Sequence, residues 1–424
     1  MTIKELHHRF IEHGLACTDT RNIRPDSIFF ALKGPNFNGN AFAEEALNRG
    51  AAYAVIEEEK YAVSEQIILV DNVLEVLQNL ATYHRNYCSA KVIALTGSNG
   101  KTTTKELIEA VLSRRYRTIA TKGNLNNHIG VPLTLLSIRP DTELAIVEMG
   151  ANHEKEIAFL SDLAQPDFGY VTNFGMAHLE GFGSREGVIR GKSELYDYLM
   201  AHHRTIFMNA DDPVQLEKLG TYVKKVGYSS ENHPHYLVKL VGAHPYVTLE
   251  FEECEVRTRL VGNYNFTNCC AAVLIGKYFN VPPGQIREAL ENYIPENNRS
   301  QVIEKNGHHI ILDAYNANPT SMKAALENFK GTSGKHKVVF LGDMFELGKA
   351  AEEEHQKIAD MVLNMDLDRI YLIGDHFNKV DTPLQKFASY DSMASHLSKE
   401  PLLASTILIK GSRGMALERL LELL

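Results

Sequence analysis

Short apolar runs rich in β-branched residues alternate along this chain with longer stretches of helical spacing, the signature of an α/β protein. In the first part, residues 27–31, 52–56 and 67–70 read as strands, and 41–49 and 73–87 as helices. Next, 92–95 reads as a strand that runs into glycines and then a helix over 103–112. Apolar strands follow at 144–147, 168–173 and 206–209, and residues 233–261 have the pattern of antiparallel strands. The last part repeats the alternation, with strands at 310–314, 337–341, 370–373 and 406–410 and helices near 351–364, 384–398 and 415–423. At about 150 residues per domain, 424 residues favour three domains. The pattern divides them at 1–88, a small N-terminal α/β unit; 89–293, a central phosphate-loop ATPase-like domain with a mostly parallel sheet; and 294–424, a Rossmann-like α/β unit.

Composition narrows the class. A hydrophobic share of 44% and a charged share of 23% are ordinary for a soluble protein. A net charge of −9 argues against a general nucleic-acid binder, while leaving room for a local basic pocket. The five cysteines contain no Cys-x-x-Cys pair, which fits a reducing, cytoplasmic setting. MTIKELHHRFIEHG reads as a polar amphipathic helix start rather than a signal peptide, and no apolar run approaches a membrane span.

The strand at 92–95 leads into Gly97, Ser98, Asn99, Gly100, Lys101, Thr102 and Thr103. Glycines let backbone N–H groups approach an oxyanion, and the following helix presents its N-terminal donors. Lys101 can neutralise phosphate charge and the Thr102 hydroxyl can ligate Mg²⁺. The full phosphate-loop pattern would place glycine at 95, where this chain has Leu95. Further polar groups stand at predicted strand ends and helix starts. Asn124, Asn126, Asn127 and His128 form a donor–acceptor cluster, Glu148 ends a strand beside the phosphate loop, and His178 follows another. Asn265 and Asn268 share a helix face. Asp313 ends a strand, Asn318 and Pro319 read as an N-cap and first helical residue, and Lys410, Ser412 and Arg413 could receive a carboxylate.

TGSNGKTTT resembles the ATP-binding loop of the Mur ligase family, and the resemblance extends through ordered motifs over nearly the whole chain. DTR and the ALKG loop resemble the family's nucleotide-sugar domain, which implies that Thr20, Arg21 and Phe37 hold the UDP part of a substrate. NLNNHIGVP is similar to the loop beside the sugar peptide, implicating Asn126 and Asn127. The resemblance implies Mg²⁺ held by Thr102, Glu148, His178 and a carbamylated Lys192. It implies adenine contacts from Asn265 and Asn268, and ATP contacts from Arg299 and Asp313. It also places Asn318, Lys410 and Arg413 at the substrate. The implied activity is ATP-dependent amide ligation through an acyl phosphate. The N-terminal loop, LNNHIGVP, YNANPTSM and GDMFELG resemble the branch whose substrates are a UDP-N-acetylmuramoyl-tripeptide and D-alanyl-D-alanine, acting as a monomer in the cytoplasm without membrane or nucleic acid. They fit less well the sister ligase for a diamino acid, or folylpolyglutamate synthase.

Two other readings compete. Asn378-Lys379-Val380-Asp381 matches the NKxD guanine motif of GTPase switches, but it does not directly end an apolar strand. A catalytically dead binding protein would not be expected to keep Lys101, Glu148, His178 and Lys192 together.

Overall fold

The computed structural model describes residues 1–231, 234–296 and 298–424. The N-terminal part is a four-stranded parallel sheet in the order Ala16–Cys17, Ile28–Phe30, Tyr53–Ile56, Ile67–Leu69. Strand alternation buries both of its faces. Ile28 and Phe30 pack with Leu6, Phe10 and Leu77 of the helices Ile3–His13 and Val73–Tyr87. Phe29 and Ala31 pack instead with Ala43 and Ala46 of the helix Ala43–Asn48.

Val73–Tyr87 also joins this part to the next. Val131, Leu135, Ile138 and Leu160 belong to the same core as its Leu77 and Leu80. His84 Nε2 lies 2.8 Å from the Ile138 carbonyl and must donate to it. His84 Nδ1 is then the acceptor for His7 Nε2, 3.0 Å away. Arg85 and Asp167 form a largely buried ion pair at 2.8 Å. The expected boundary between these two parts, at residues 88 and 89, is built into the core, with Cys88 and Ala90 buried.

The central sheet has seven parallel strands. Their order is Tyr236–Leu237, Lys225–Ser229, Thr205–Asn209, Phe168–Val171, Lys91–Thr96, Leu144–Glu148, Thr118–Ala120. Lys91–Thr96 lies where the winding reverses: the next strands in sequence go to one side of it and the later ones to the other. Open α/β sheets bind ligands beyond the carboxyl ends of the strands at such a point. Residues 233–261 behave differently from the expected antiparallel set. Tyr236–Leu237 pairs parallel with the central sheet, while Lys239–Gly242, Tyr246–Phe251 and Cys254–Val261 form a separate antiparallel sheet. Residue 233 lies outside the described residues.

The C-terminal sheet runs Gln301–Lys305, His308–Asp313, Thr406–Lys410, Lys337–Gly342, Arg369–Ile373, Gln385–Phe387, with the first strand antiparallel and the rest parallel. Two expected helices are corrected. The start of 384–398 is an edge strand, Gln385–Phe387, and the helix is Tyr390–Lys399. Residues 415–423 form 3₁₀ turns, because Ala416 adopts a left-handed conformation (φ 47°) that interrupts an α-helix. No helix among the described residues is long and apolar enough to cross a membrane.

Candidate active site

The phosphate loop leaves the central strand at its carboxyl end. Leu95 is fully buried in that strand and pairs with Glu148 and Tyr170 of its neighbours, so the loop begins only after it. Gly97 and Gly100 take φ values of +142° and +78°. A Cβ on Gly97 would strike the Thr172 side chain, and one on Gly100 would lie 2.5 Å from Asn268 Oδ1. Asn99 N donates to Asn173 Oδ1 at 3.1 Å, and the Asn99 carbonyl accepts from Thr172 Oγ1 at 2.6 Å and Asn173 Nδ2 at 3.0 Å. Ser98 Oγ donates to the Gly175 carbonyl at 2.6 Å. Lys101 folds back over the loop and donates to the Gly97 and Ser98 carbonyls at 2.7 and 3.2 Å. Burial lowers its pKa, opposed by the nearby Glu148 carboxylate.

Glu148 is buried at the end of the adjacent strand. Its two oxygens accept from Thr102 Oγ1 at 2.9 Å and Asn126 Nδ2 at 2.8 Å. The carboxylate and the hydroxyl supply oxygen donors of the kind Mg²⁺ prefers, already oriented by a neighbouring amide. Of the rest of the expected metal set, His178 lines the same cleft as they do and Lys192 does not. His178 Nδ1 lies 2.6 Å from Glu346 Oε2, off line for a hydrogen bond. Lys192 is fully buried in the helix Arg185–Ala201; its Nζ donates to the Ala151 carbonyl at 2.9 Å and sits 5.0 Å from the Phe182 ring. Burial, and then the charge of Lys101, push its pKa well below the usual lysine range. A carbamylated lysine must first be a neutral amine, and this environment favours one.

These elements border a cleft of about 780 Å³ between the central and C-terminal sheets. The C-terminal side contributes strand ends and one helix start. Asp313 and Lys410 are register partners on adjacent parallel strands. Lys410 Nζ donates to Asp313 Oδ2 at 2.6 Å and to the Asn316 carbonyl at 3.3 Å. Lys410 is 1% exposed, so it is committed to this pair rather than open to a substrate carboxylate, as the sequence had suggested. Arg413 stays accessible, 3.3 Å from Tyr315 Oη. Asn318 closes a capping box on the helix Pro319–Gly331, and its Nδ2 donates to Asn99 Oδ1 at 2.7 Å. Arg299 lies over the Tyr315 ring at 3.6 Å.

The two helix asparagines act as a chain. Asn265 Nδ2 donates to the Val261 carbonyl, Asn268 Nδ2 donates to Asn265 Oδ1, and Asn268 Oδ1 accepts from Thr104 Oγ1 at 3.0 Å. They tie the helix Tyr264–Tyr278 to the helix of the phosphate loop while lining the cleft. Asn127 turns inward to its own loop, where Oδ1 accepts from the Ile129 and Gly130 amides. Thr103 also lines the cleft.

Thr20, Arg21 and Phe37 are not brought to this cleft. Arg21 pairs with Asp19 on the N-terminal surface through Nε and Nη2, at 3.0 and 2.7 Å. Phe37 is half exposed and stacks on Phe42 at 5.3 Å. Asn378 and Lys379 lie exposed on the short helix Asp375–Lys379 and do not line the cleft, which removes support for a guanine site. Three residues escaped the sequence. Asn173 holds the loop backbone, Tyr315 carries Arg299, and Glu346 enters from the C-terminal side. Tyr315 lies inside the conspicuous YNANPTSM stretch and Glu346 inside GDMFELG, but neither was singled out within its motif.

Asn99 Nδ2 and Arg299 Nε are buried N–H groups with no acceptor among the described residues. Together with Lys101, they leave the cleft prepared for a polyanion.

Comparison with known proteins agrees along the chain. Family models match residues 95–276 (Mur ligase middle domain), 298–413 (Mur ligase, glutamate ligase domain) and 14–85 (Mur ligase family, catalytic domain). The chain is 35% identical to the UDP-N-acetylmuramoyl-tripeptide–D-alanyl-D-alanine ligase of Bacillus subtilis (strain 168), covering 98% of this chain and 94% of that one. It is 32% identical to the protein of the same name from Escherichia coli (strain K12), over 96% and 92%. Among solved structures, MurF from Acinetobacter baumannii superposes with a TM-score of 0.83 at 30% identity, over 96% and 92% of the two chains. MurF from Thermotoga maritima, in complex with ADP, gives 0.84 at 26% identity, over 96% of each.

Proposed function

The chain belongs to the Mur ligase family, and we propose that it is the member that uses ATP to join D-alanyl-D-alanine to a UDP-N-acetylmuramoyl-tripeptide. The observation that carries this reading is the cleft itself. A phosphate loop, whose Asn99 Nδ2 has no acceptor among the described residues, faces strand ends of a second sheet and Arg299, whose Nε likewise has none among them, in a chain similar throughout to ligases of that name. In this assignment residues 89–293 bind ATP, 294–424 bring the amine, and 1–88 hold the UDP sugar through Thr20, Arg21 and Phe37.

Two steps follow. An oxygen of the tripeptide carboxylate attacks the γ-phosphorus, the bond to ADP breaks, and an acyl phosphate forms. The dipeptide's ammonium first loses a proton to solvent; the free amine then attacks the acyl carbon, the carbon–oxygen bond to phosphate breaks, phosphate leaves with that electron pair, and the nitrogen sheds a second proton to give the amide. Lys101 and the loop amides stabilise charge on the transferring phosphoryl group. Gly97, Ser98, Asn99, Gly100, Thr102 and Thr103 shape the loop; Asn265, Asn268, Arg299 and Asp313 border the nucleotide; Asn126, Asn127, Asn318 and Arg413 border the other substrates. Thr102 and Glu148, joined by His178 and carbamylated Lys192, would hold Mg²⁺, which neutralises phosphate charge when bound. The free cysteines suit a cytoplasmic enzyme, and we assign it as a monomer.

The test measures phosphate release from ATP with the UDP-muramoyl-tripeptide, with and without D-alanyl-D-alanine. Release requiring both, with a product heavier by one dipeptide residue, is expected. Equal ligation of a single diamino acid would move the chain to the sister ligase, and no ligation of any muramoyl peptide would refute the assignment.

A further inference from the structure

Four carboxylates among the described residues line the cleft: Glu148, Glu156, Asp313 and Glu346. Three are occupied. Glu148 accepts from Thr102 and Asn126, Asp313 holds Lys410 and the Ser300 amide, and Glu156 accepts from the Asn152 and His153 amides at 2.7 and 3.1 Å. Glu346 is different. Its side chain is 47% exposed, its Oε2 meets only His178, and its Oε1 has no partner among the described residues. Among the described residues no lysine or arginine forms an ion pair with it, although it lies close enough to Lys101 to feel that charge.

Its backbone is placed with some care. Glu346 and His178 both adopt left-handed conformations, at φ 62° and 53°, which cost side-chain-bearing residues energy. The Glu346 carbonyl accepts from Glu180 N at 3.1 Å, locking the loop after Lys337–Gly342 against the loop after Phe168–Val171. Gly348 sits so close beneath this contact that a Cβ there would lie 3.2 Å from Glu180 Cα. A carboxylate from the C-terminal sheet is thereby fixed opposite the phosphate loop, with one oxygen uncommitted.

The proposed reaction needs an anion at that place. Its nucleophile arrives as an ammonium ion, in a cleft whose other charged side chains include Lys101, Arg299 and Arg413. We propose that Glu346 receives the ammonium group of the incoming dipeptide and aims its nitrogen at the acyl carbon, a role that rests on the ligase reading above. The approach of His178 occupies the side of Oε2 and leaves Oε1 for the substrate.

The experiment compares two nucleophiles on the full chain with ATP and the UDP-muramoyl-tripeptide. Hydroxylamine is uncharged at mildly alkaline pH and traps the acyl phosphate as a hydroxamate without an ammonium anchor. For Glu346→Gln, the dipeptide KM should rise about 10- to 100-fold, the loss expected for one charge-assisted hydrogen bond. Hydroxamate formation and the ATP KM should stay within about twofold of wild type. Glu346→Asp should recover part of the dipeptide KM, and the urea midpoint should show each variant folded. Equal losses with both nucleophiles, or an unchanged dipeptide KM, would overturn the assignment to the ammonium. A wild-type chain that forms neither product removes the ligase reading itself, and this inference with it.

Discussion

Replacing Lys410 with methionine isolates the interaction that the register of the C-terminal sheet creates. Lys410 Nζ and Asp313 Oδ2 are 2.6 Å apart, and the lysine side chain is 2% exposed against 16% for the aspartate. Methionine keeps most of the volume and removes the charge. The Asp313 carboxylate then stays in place, holding only the Ser300 amide at 3.2 Å. Breaking a buried pair from one side costs about 3–5 kcal/mol, because the partner charge is left uncompensated. The residual exposure of Asp313 and its amide bond put the expectation at the lower end, about 3 kcal/mol, or roughly a hundredfold in the local opening equilibrium. Hydrogen exchange of amides in His308–Asp313 and Thr406–Lys410 reads that opening directly. The double variant Asp313→Asn, Lys410→Met should recover most of the loss, since it removes both charges. A single-variant cost below about 1 kcal/mol, together with a raised dipeptide KM, would refute the argument and return Lys410 to the role of a free carboxylate receptor.

Three further outcomes follow from the geometry. Lys192→Ala should lose ligation and hydroxamate formation together by at least about a hundredfold while staying folded, and unchanged activity would remove its place in the phosphate chemistry. Gly100→Ala combines a left-handed backbone with a collision against Asn268 Oδ1, so the ATP KM should rise at least about tenfold; Asn268→Ala should not restore it, because the strain at φ +78° remains. The third concerns acid. Burial, then the charges of His84 and His8, hold His7 down to about 4, and burial also lowers His84. The unfolded chain protonates His7 near the ordinary value of 6.5, so between there and about 4 it binds more protons than the folded chain. Stability should therefore fall as pH drops through that window, by up to about 3 kcal/mol for His7 alone. Urea midpoints that do not fall between neutral pH and about pH 4.5, or that fall equally in His7→Phe, would contradict it.

What the sequence disclosed and what it hid divide along a physical line. Residues whose place depends on one strand and the turn after it were legible. A buried apolar run ending in glycines fixes Lys101 and Thr102 at the carboxyl end of Lys91–Thr96, and Glu148 ends the next strand over. Asn318 before Pro319 announced a helix start, and its capping box is there. The misjudgements are contacts between elements remote in sequence. Lys410 looked like a free cation because nothing near it in the chain reveals Asp313, ninety-seven residues away, as its register partner. Asn127 borders the cleft as expected while its Oδ1 caps its own turn. The expected start of a helix at 384 became an edge strand because Arg369–Ile373 offered it a ladder, a tertiary preference that overrides the local one.

Glu346 shows why the same limit matters for chemistry. The stretch around it, GDMFELG, marks a strand end but does not say what its glutamate faces. Its significance arises when that loop meets the loop carrying His178, and this requires two sheets, each wound so that its strand ends face the same cleft. The phosphate loop can hold an activated acyl group, but among the described cleft residues the central part offers the arriving amine no uncommitted carboxylate: Glu148 is held by Thr102 and Asn126, and Glu156 by its own turn. The second sheet's own strand-end acid, Asp313, is bound to Lys410. An anion for the amine therefore has to come from a loop between strands, where it can be close to the phosphate loop and still unneutralised. A ligase that kept Glu346 but lost the Glu180–Glu346 backbone contact should bind its dipeptide as poorly as Glu346→Gln does, because the carboxylate would be present but no longer aimed.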